Sequence, residues 1–343
     1  MKILIWATDY SARSAAVNIH SEAKRQGFDV EIAGARTDPT EFVAKLNEWH
    51  PDIVFCFCIR PNLVPVYKLI RESGAKLCLW YPDQTESRRN QMWINFLKGQ
   101  ADCLIFSIAD TAIRYAHCAP VSLWMPQYFN VNDDCLENLP ERLDITKPIY
   151  DLCFIGSVDT SRREWLEELA ANYKTKFIID PFTKGGAVHN RAMAEIYAQS
   201  RIAIGIQRTL FCTNAPYVTS NRIYNAMGSG AFYLTYPITQ LGALFVNGNH
   251  LAVYENETIE CLRKEIDFWL ENERLREWIA VEGQRQVLRF HTLRQRVPEY
   301  WRVFELLHTN NVEQIRANAK EIFPYLDASL YDLAIHIGEN QNV

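Results

Sequence analysis

In the run Val218-Thr219-Ser220-Asn221-Arg222-Ile223-Tyr224-Asn225, a helix-initiating serine precedes an arginine and an asparagine three positions apart. Residues at i and i+3 share one helical face, and a serine N-cap puts that face at the positive end of the helix. Arg222 there suits a diphosphate and Asn225 a ribose hydroxyl; helix capping and a solvated arginine are the alternative. Gly228-Ser229-Gly230 then makes a tight return to a strand. A second run, Phe154-Ile155-Gly156-Ser157 followed by Arg162-Arg163, ends a strand and opens a helix. Gly156 admits a phosphate to the backbone, Ser157 offers a hydroxyl, and Arg162 can neutralise a diphosphate, or the segment is a turn with solvated arginines. A third, Trp80-Tyr81-Pro82-Asp83, places an acid beside aromatic platforms just past a strand. Asp83 is then either a base for an acceptor hydroxyl or the N-cap of the next helix. Asp9, after the first strand, is a weaker case of the same kind.

These residues need a scaffold that presents strand ends. Short apolar segments alternate with helical ones through residue 126: Lys2–Ala7, Phe28–Ala33, Asp52–Cys58, Lys76–Trp80, Asp102–Phe106 and Val121–Trp124 read as strands. Continuous apolar strands are buried on both faces, so the alternation predicts a parallel, doubly wound α/β sheet. Residues 127–149 are polar and proline-containing and read as a linker. Alternation restarts at Tyr150 and continues to residue 292. Residues 293–343 read as helices, including one over Val312–His336, and are expected to cross back to the first domain. The expected architecture is two Rossmann-like domains, 1–126 and 150–292, facing a cleft. Ligands bind such sheets beyond the carboxyl ends of the strands.

Composition narrows the class. The chain has 343 residues, 48% hydrophobic and 22% charged, with a formal net charge of -5. Disorder and a wholly basic nucleic-acid surface are excluded. The nine cysteines include no Cys-x-x-Cys pair, and free thiols in a reducing cytoplasm are expected. No targeting or membrane-spanning segment is legible. His189 and His291 begin helical segments and read as capping residues. There is no Gly-x-x-x-x-Gly-Lys loop, Gly-x-Ser-x-Gly elbow, His-Glu-x-x-His, Gly-x-Gly-x-x-Gly or Asp-x-Asp. P-loop chemistry, dehydrogenase-like binding and metal–diphosphate chemistry are therefore unsupported, and no metal site is expected.

The run Ser220–Thr235 is followed by Leu244–Tyr254, by Ile279–Gly283, and by His291-Thr292 with Arg296. In order and spacing it resembles the glycosyl-transferase-like domain of the CgeB (spore maturation) group of GT-B glycosyltransferases, over roughly residues 150–300. The resemblance implies a GT-B fold and a metal-independent hexosyl- or pentosyltransferase. Its co-substrate is then a nucleoside-diphosphate sugar, and no cofactor is needed. Gly156, Ser157, Arg162, Ser220, Asn221, Arg222 and Asn225 would bind the donor. Asp83, with Asp9 second, would be the catalytic base from the first domain. Related retaining enzymes carry a Glu-x7-Glu pattern, which falls here on Tyr217 and Asn225, so inversion or retention stays open. The acceptor is a glycan, protein, small molecule or modified DNA base. A DNA groove would use Arg88, Arg89 and Lys98 around Trp93. A non-catalytic nucleotide-sugar-binding module is the other alternative.

Overall fold

The computed structural model describes residues 1–7, 14–34, 39–57, 59–81, 92, 94–130, 148–156, 160–179, 190–206, 220–238, 241–255 and 258–338. The chain divides into two compact units, one made of residues 1–126 and 293–343, the other of residues 127–292.

The first unit is built on a seven-stranded sheet: β1 (Ile3–Trp6), β2 (Val30–Ala33), β3 (Ile53–Cys56), β4 (Lys76–Tyr81), β5 (Cys103–Phe106), β6 (Val121–Trp124) and β12 (Ile335–Ile337). Its order is β12-β6-β5-β4-β3-β1-β2, with all neighbours parallel except β12, which runs antiparallel to β6. Ile3 to Trp6, Ile53 to Cys56 and Cys103 to Phe106 are buried at every position, as strands covered on both faces must be. The helix Ala15–Arg25 packs Ala16, Ile19 and Ala23 inward at helical spacing.

Residues 293–338 belong to this unit. The helix Leu293–His308 sets Tyr300 and Phe304 against Phe55, with ring centroids 5.3 and 5.0 Å apart. Pro298 lies inside this helix and has no N–H to offer the carbonyl of Arg294. Gln26 Nε2 donates to that carbonyl at 2.9 Å, so a side chain from the first helix replaces the missing bond. The expected helix over Val312–His336 is not formed. Gln314–Ala317, Ala319–Ile322 and Tyr331–Ala334 are short separate helices, and Ile335–Ile337 forms β12. Pro324 cannot continue a helix, and Asp327 accepts from the Ser329 N–H to start a new turn.

The second unit carries β7 (Tyr150–Gly156), β8 (Thr175–Ile179), β9 (Ser200–Ile204), β10 (Phe232–Thr235) and β11 (Ala252–Val253), all parallel, in the order β11-β10-β9-β7-β8. The chain winds outward from β7 to β8 on one side and from β9 onward on the other. The switch point therefore lies between β7 and β9. The segments that enter and leave this unit run side by side: Phe129 N donates to His291 O at 2.7 Å and pairs with Thr292. His291 caps the C-terminus of the helix Glu273–Phe290, its N–H donating to the Val287 carbonyl at 2.8 Å. It is fully buried, with the rings of Tyr224 and Phe245 at 5.6 and 5.2 Å. Among the described residues no helix is long and apolar enough to cross a membrane.

Candidate donor site at the switch point of the second sheet

β7 delivers Phe154, Ile155 and Gly156 to the carboxyl edge of the sheet, beside the switch point. The helix Asn221–Gly228 brings Arg222 to the same edge. Arg222 Nε donates to the Ile155 carbonyl at 2.9 Å, and the guanidinium carbon lies 4.3 Å from the centroid of Phe154. That geometry is a cation–π contact. Arg162, at the start of the helix Thr160–Asn172, places its guanidinium 5.5 Å from the same ring and is buried. Two like charges thus share one aromatic ring. Among the described residues no carboxylate lies within ion-pair distance of Arg222.

Gly156 makes this possible. A Cβ there would lie 2.3 Å from Arg222 Nη2, which would have to move, and 3.3 Å from Phe154 Cζ, a tight contact. The sequence reading assigned Gly156 to phosphate approach, whereas here its missing side chain is space taken up by the Arg222 guanidinium. Ser220 holds the N-cap position with extended backbone, φ -72° and ψ 155°, but its hydroxyl makes no capping bond. The expectation of a side-chain cap fails. The half-buried Ser220 Oγ and the open first turn of the helix are left for other partners. Asn221 is exposed. Asn225, one turn on from Arg222, is half-buried, with its amide Nδ2 3.8 Å from Met193 Sδ.

Gly156, Arg162 and Arg222 therefore converge, and Ser220 sits one turn away at the helix start. Ser157, Asp9 and Asp83 lie outside the described residues, as do Arg88, Arg89 and Trp93. Sequence reasoning missed Phe154, the shared platform, and the tyrosines behind it. Tyr233 of β10 is buried, and a Cβ on Gly205 would lie 2.6 Å from both the Tyr233 and the Thr235 side-chain oxygens. Burial pushes the Tyr233 phenol up, against the pull of Arg222 and Arg162, so it stays neutral. Tyr254 donates to the Gly205 carbonyl at 3.2 Å, just past β9. Burial also lifts the Cys153 thiol to about 12, which marks it as a packing residue. Among the described residues no three His, Cys, Asp or Glu side chains gather in a way that could hold a metal ion.

The first unit holds a different charged group. Arg296 and Glu299, both buried on the helix Leu293–His308, form an ion pair, and Arg296 lies 4.7 Å over the Tyr325 ring. Burial raises the Glu299 carboxyl to about 7 despite the neighbouring guanidinium. Arg296 stands in the run that carries the family resemblance, but nothing pointed to Glu299, because an Arg-x-x-Glu spacing is ordinary on exposed helices.

Residues 135–302 match the model of a family described as glycosyl transferase-like. None of the curated protein sequences matches the chain. Solved structures do. Sucrose-phosphate synthase from Thermosynechococcus elongatus superposes with a TM-score of 0.63 at 11% identity, covering 90% of this chain and 100% of that one. HepE from Anabaena, in complex with UDP and glucose, gives 0.57 at 12% identity over 88% and 99%. The fold is GT-B. A UDP-N-acetylglucosamine 2-epimerase from Listeria monocytogenes, described as putative, reaches 0.50 at 11% over 88% and 96%. At these identities the GT-B likeness carries the architecture alone. The family match covers both converging arginines and supports the glycosyltransferase class.

Proposed function

We propose that the protein moves a sugar from a nucleoside-diphosphate sugar to an acceptor hydroxyl. The observation that carries this reading is the Arg222 guanidinium, held by uncharged groups at the carboxyl end of β7 within the matched region. A guanidinium with no carboxylate partner among the described residues, beside a second arginine and a helix N-terminus, is a site for a phosphate pair. As the glycosidic bond breaks, negative charge builds on the departing diphosphate. Arg222, Arg162 and the first-turn N–H groups of the helix Asn221–Gly228 would meet that charge without reorganising. Gly156, Ser157, Ser220 and Asn221 would line the phosphates, and Asn225 would take the ribose.

The second unit is then the donor unit and the first the acceptor unit. Asp83, with Asp9 second, is proposed to deprotonate the acceptor hydroxyl. Guanidinium charge in place of a divalent cation, and a chain without Asp-x-Asp, support a metal-independent hexosyl- or pentosyltransferase. The run Ser220–Thr235 supports the CgeB-like subgroup. The buried free thiols Cys56, Cys78, Cys103 and Cys153 suit a reducing cytoplasm. UDP-sugars are the first donors to try, since HepE was solved with UDP and glucose.

Thermal unfolding with UDP, GDP, dTDP and their sugars tests the reading. A ligand at a hundred times its Kd stabilises by about 2.7 kcal/mol. At least one nucleotide is expected to raise Tm in the wild type and not in Arg222→Ala. A flat panel at millimolar concentrations, or equal shifts in both proteins, would overturn the proposal.

A further inference from the structure

The paired entry and exit segments of the second unit pack behind the helix that carries Arg222. Phe129 on the way in and His291 on the way out are joined by their 2.7 Å backbone bond, and both rest on the helix Asn221–Gly228. The buried Phe129 ring is seated on Gly228, where a Cβ would lie 2.5 Å from its Cγ and Cδ1 atoms. The His291 ring lies 5.6 Å from Tyr224 and 5.2 Å from Phe245, and those two rings are 5.8 Å apart, so the three close a triangle. Tyr224 and Gly228 are four positions apart and share one face of the helix. Arg222 precedes Tyr224 by two residues, which turns it about 200° round the axis to the opposite face. The helix is thus held between Phe129 and His291 on one side and Phe154 and Ile155 on the other. Its C-terminal end is also tied from a third direction. The Gly228 carbonyl accepts from Gln284 Nε2 at 3.2 Å, and a Cβ on Gly283 would lie 2.2 Å from the His250 carbonyl oxygen and 3.1 Å from Met227 Cε. A close-packed interior has few voids to absorb a push from one side, so it passes the displacement on.

We infer that Phe129 is a positioning residue for Arg222. Its ring, seated on Gly228, sets how far the helix stands from Phe154, and so where the guanidinium meets a diphosphate. The inference rests on the donor reading above. Gly228 is six positions from Arg222, about 9 Å along the axis, so an effect there reaches the guanidinium through movement of the helix.

Calorimetric titration of UDP, GDP and dTDP into the full chain tests this, using wild type, Gly228→Ala, Phe129→Leu and the double variant, with urea midpoints on the same preparations. Gly228→Ala drives a methyl into the Phe129 ring and is expected to weaken nucleotide binding about tenfold. Phe129→Leu in that background makes room for the methyl and should return affinity to within about threefold of wild type. Phe129→Leu alone loosens the seat and should weaken binding about threefold. If Gly228→Ala does not fold, this last variant decides. The inference is overturned if the folded single variants bind like wild type. It is overturned equally if the double variant regains the urea midpoint lost in Gly228→Ala but not the affinity, since the contact would then serve packing alone. A wild type that binds none of the three nucleotides instead overturns the donor reading itself.

Discussion

The guanidinium of Arg222 lies 4.3 Å above the ring of Phe154, a residue that sequence inspection places in a strand core. Arg162 approaches the same ring at 5.5 Å, so one phenyl ring orients two cations that would otherwise repel. Cation–π contacts of this kind are worth about 0.5–2 kcal/mol. Phe154→Leu fills much of the same volume and removes the quadrupole. It is expected to weaken nucleotide affinity about 3- to 10-fold, with a stability loss of about 1 kcal/mol. Titration calorimetry and urea denaturation on one preparation separate the two effects.

Gly156→Ala acts on the same arginine from the opposite direction. The new methyl would sit 2.3 Å from Arg222 Nη2, and the far end of a long side chain is what must yield. Stability should change by less than about 1 kcal/mol, while affinity for a nucleoside diphosphate falls at least about tenfold. A variant that binds as wild type would show that the guanidinium is free to relocate without cost.

Glu299 makes the first unit sensitive to pH. Burial raises its carboxyl to about 7, above its unfolded value, with Arg296 opposing the shift. A carboxyl raised on folding stabilises most where it is protonated in both states. Its contribution is therefore complete below about pH 4.5 and is lost as pH rises through about 7. The swing is up to about 3 kcal/mol. Glu299→Gln should flatten the stability–pH profile between about pH 4.5 and 7, read from urea midpoints across that window. An unchanged slope would mean that Glu299 is ionised in the folded protein throughout.

Gln26 and Pro298 should behave as a pair. Gln26→Ala leaves the Arg294 carbonyl without its donor and is expected to cost about 1 kcal/mol or less, since that bond is open to water. Pro298→Ala restores the helical N–H. In that background Gln26→Ala should be nearly neutral. Equal costs in both backgrounds, measured by chemical denaturation, would refute the substitution of one bond for the other.

What could be read from the chain divides along physical lines. Strands such as Ile53–Cys56 were legible because burial on both faces leaves a continuous apolar run. Arg222 and Arg162 were legible because glycine, a helix-starting serine and arginine after a strand have few other reasons to occur together. Phe154 was not, since its contact with Arg222 joins residues remote in sequence, as does the Ile155 bond, which spans 67 positions. Ser220 shows the limit of a good local rule, for it takes the capping position without its hydroxyl capping. The final strand was missed because Ile335-His336-Ile337 shows a single alternation, too short to separate from the helical pattern before it. Arg296 was named in the run that carries the resemblance, but its pairing with Glu299 was hidden by a spacing that solvent-exposed helices use routinely.

β12 pairs with β6, so residues more than two hundred positions apart in synthesis must meet before the first sheet is complete. On a ribosome, residues 127–292 emerge as one contiguous stretch and can finish folding while the earlier sheet still lacks its closing strand and the helix Leu293–His308. The half of the molecule that is translated first is thus the last to mature. Until β12 arrives, the β6 edge stays open as a template for nascent-chain mispairing or chaperone capture.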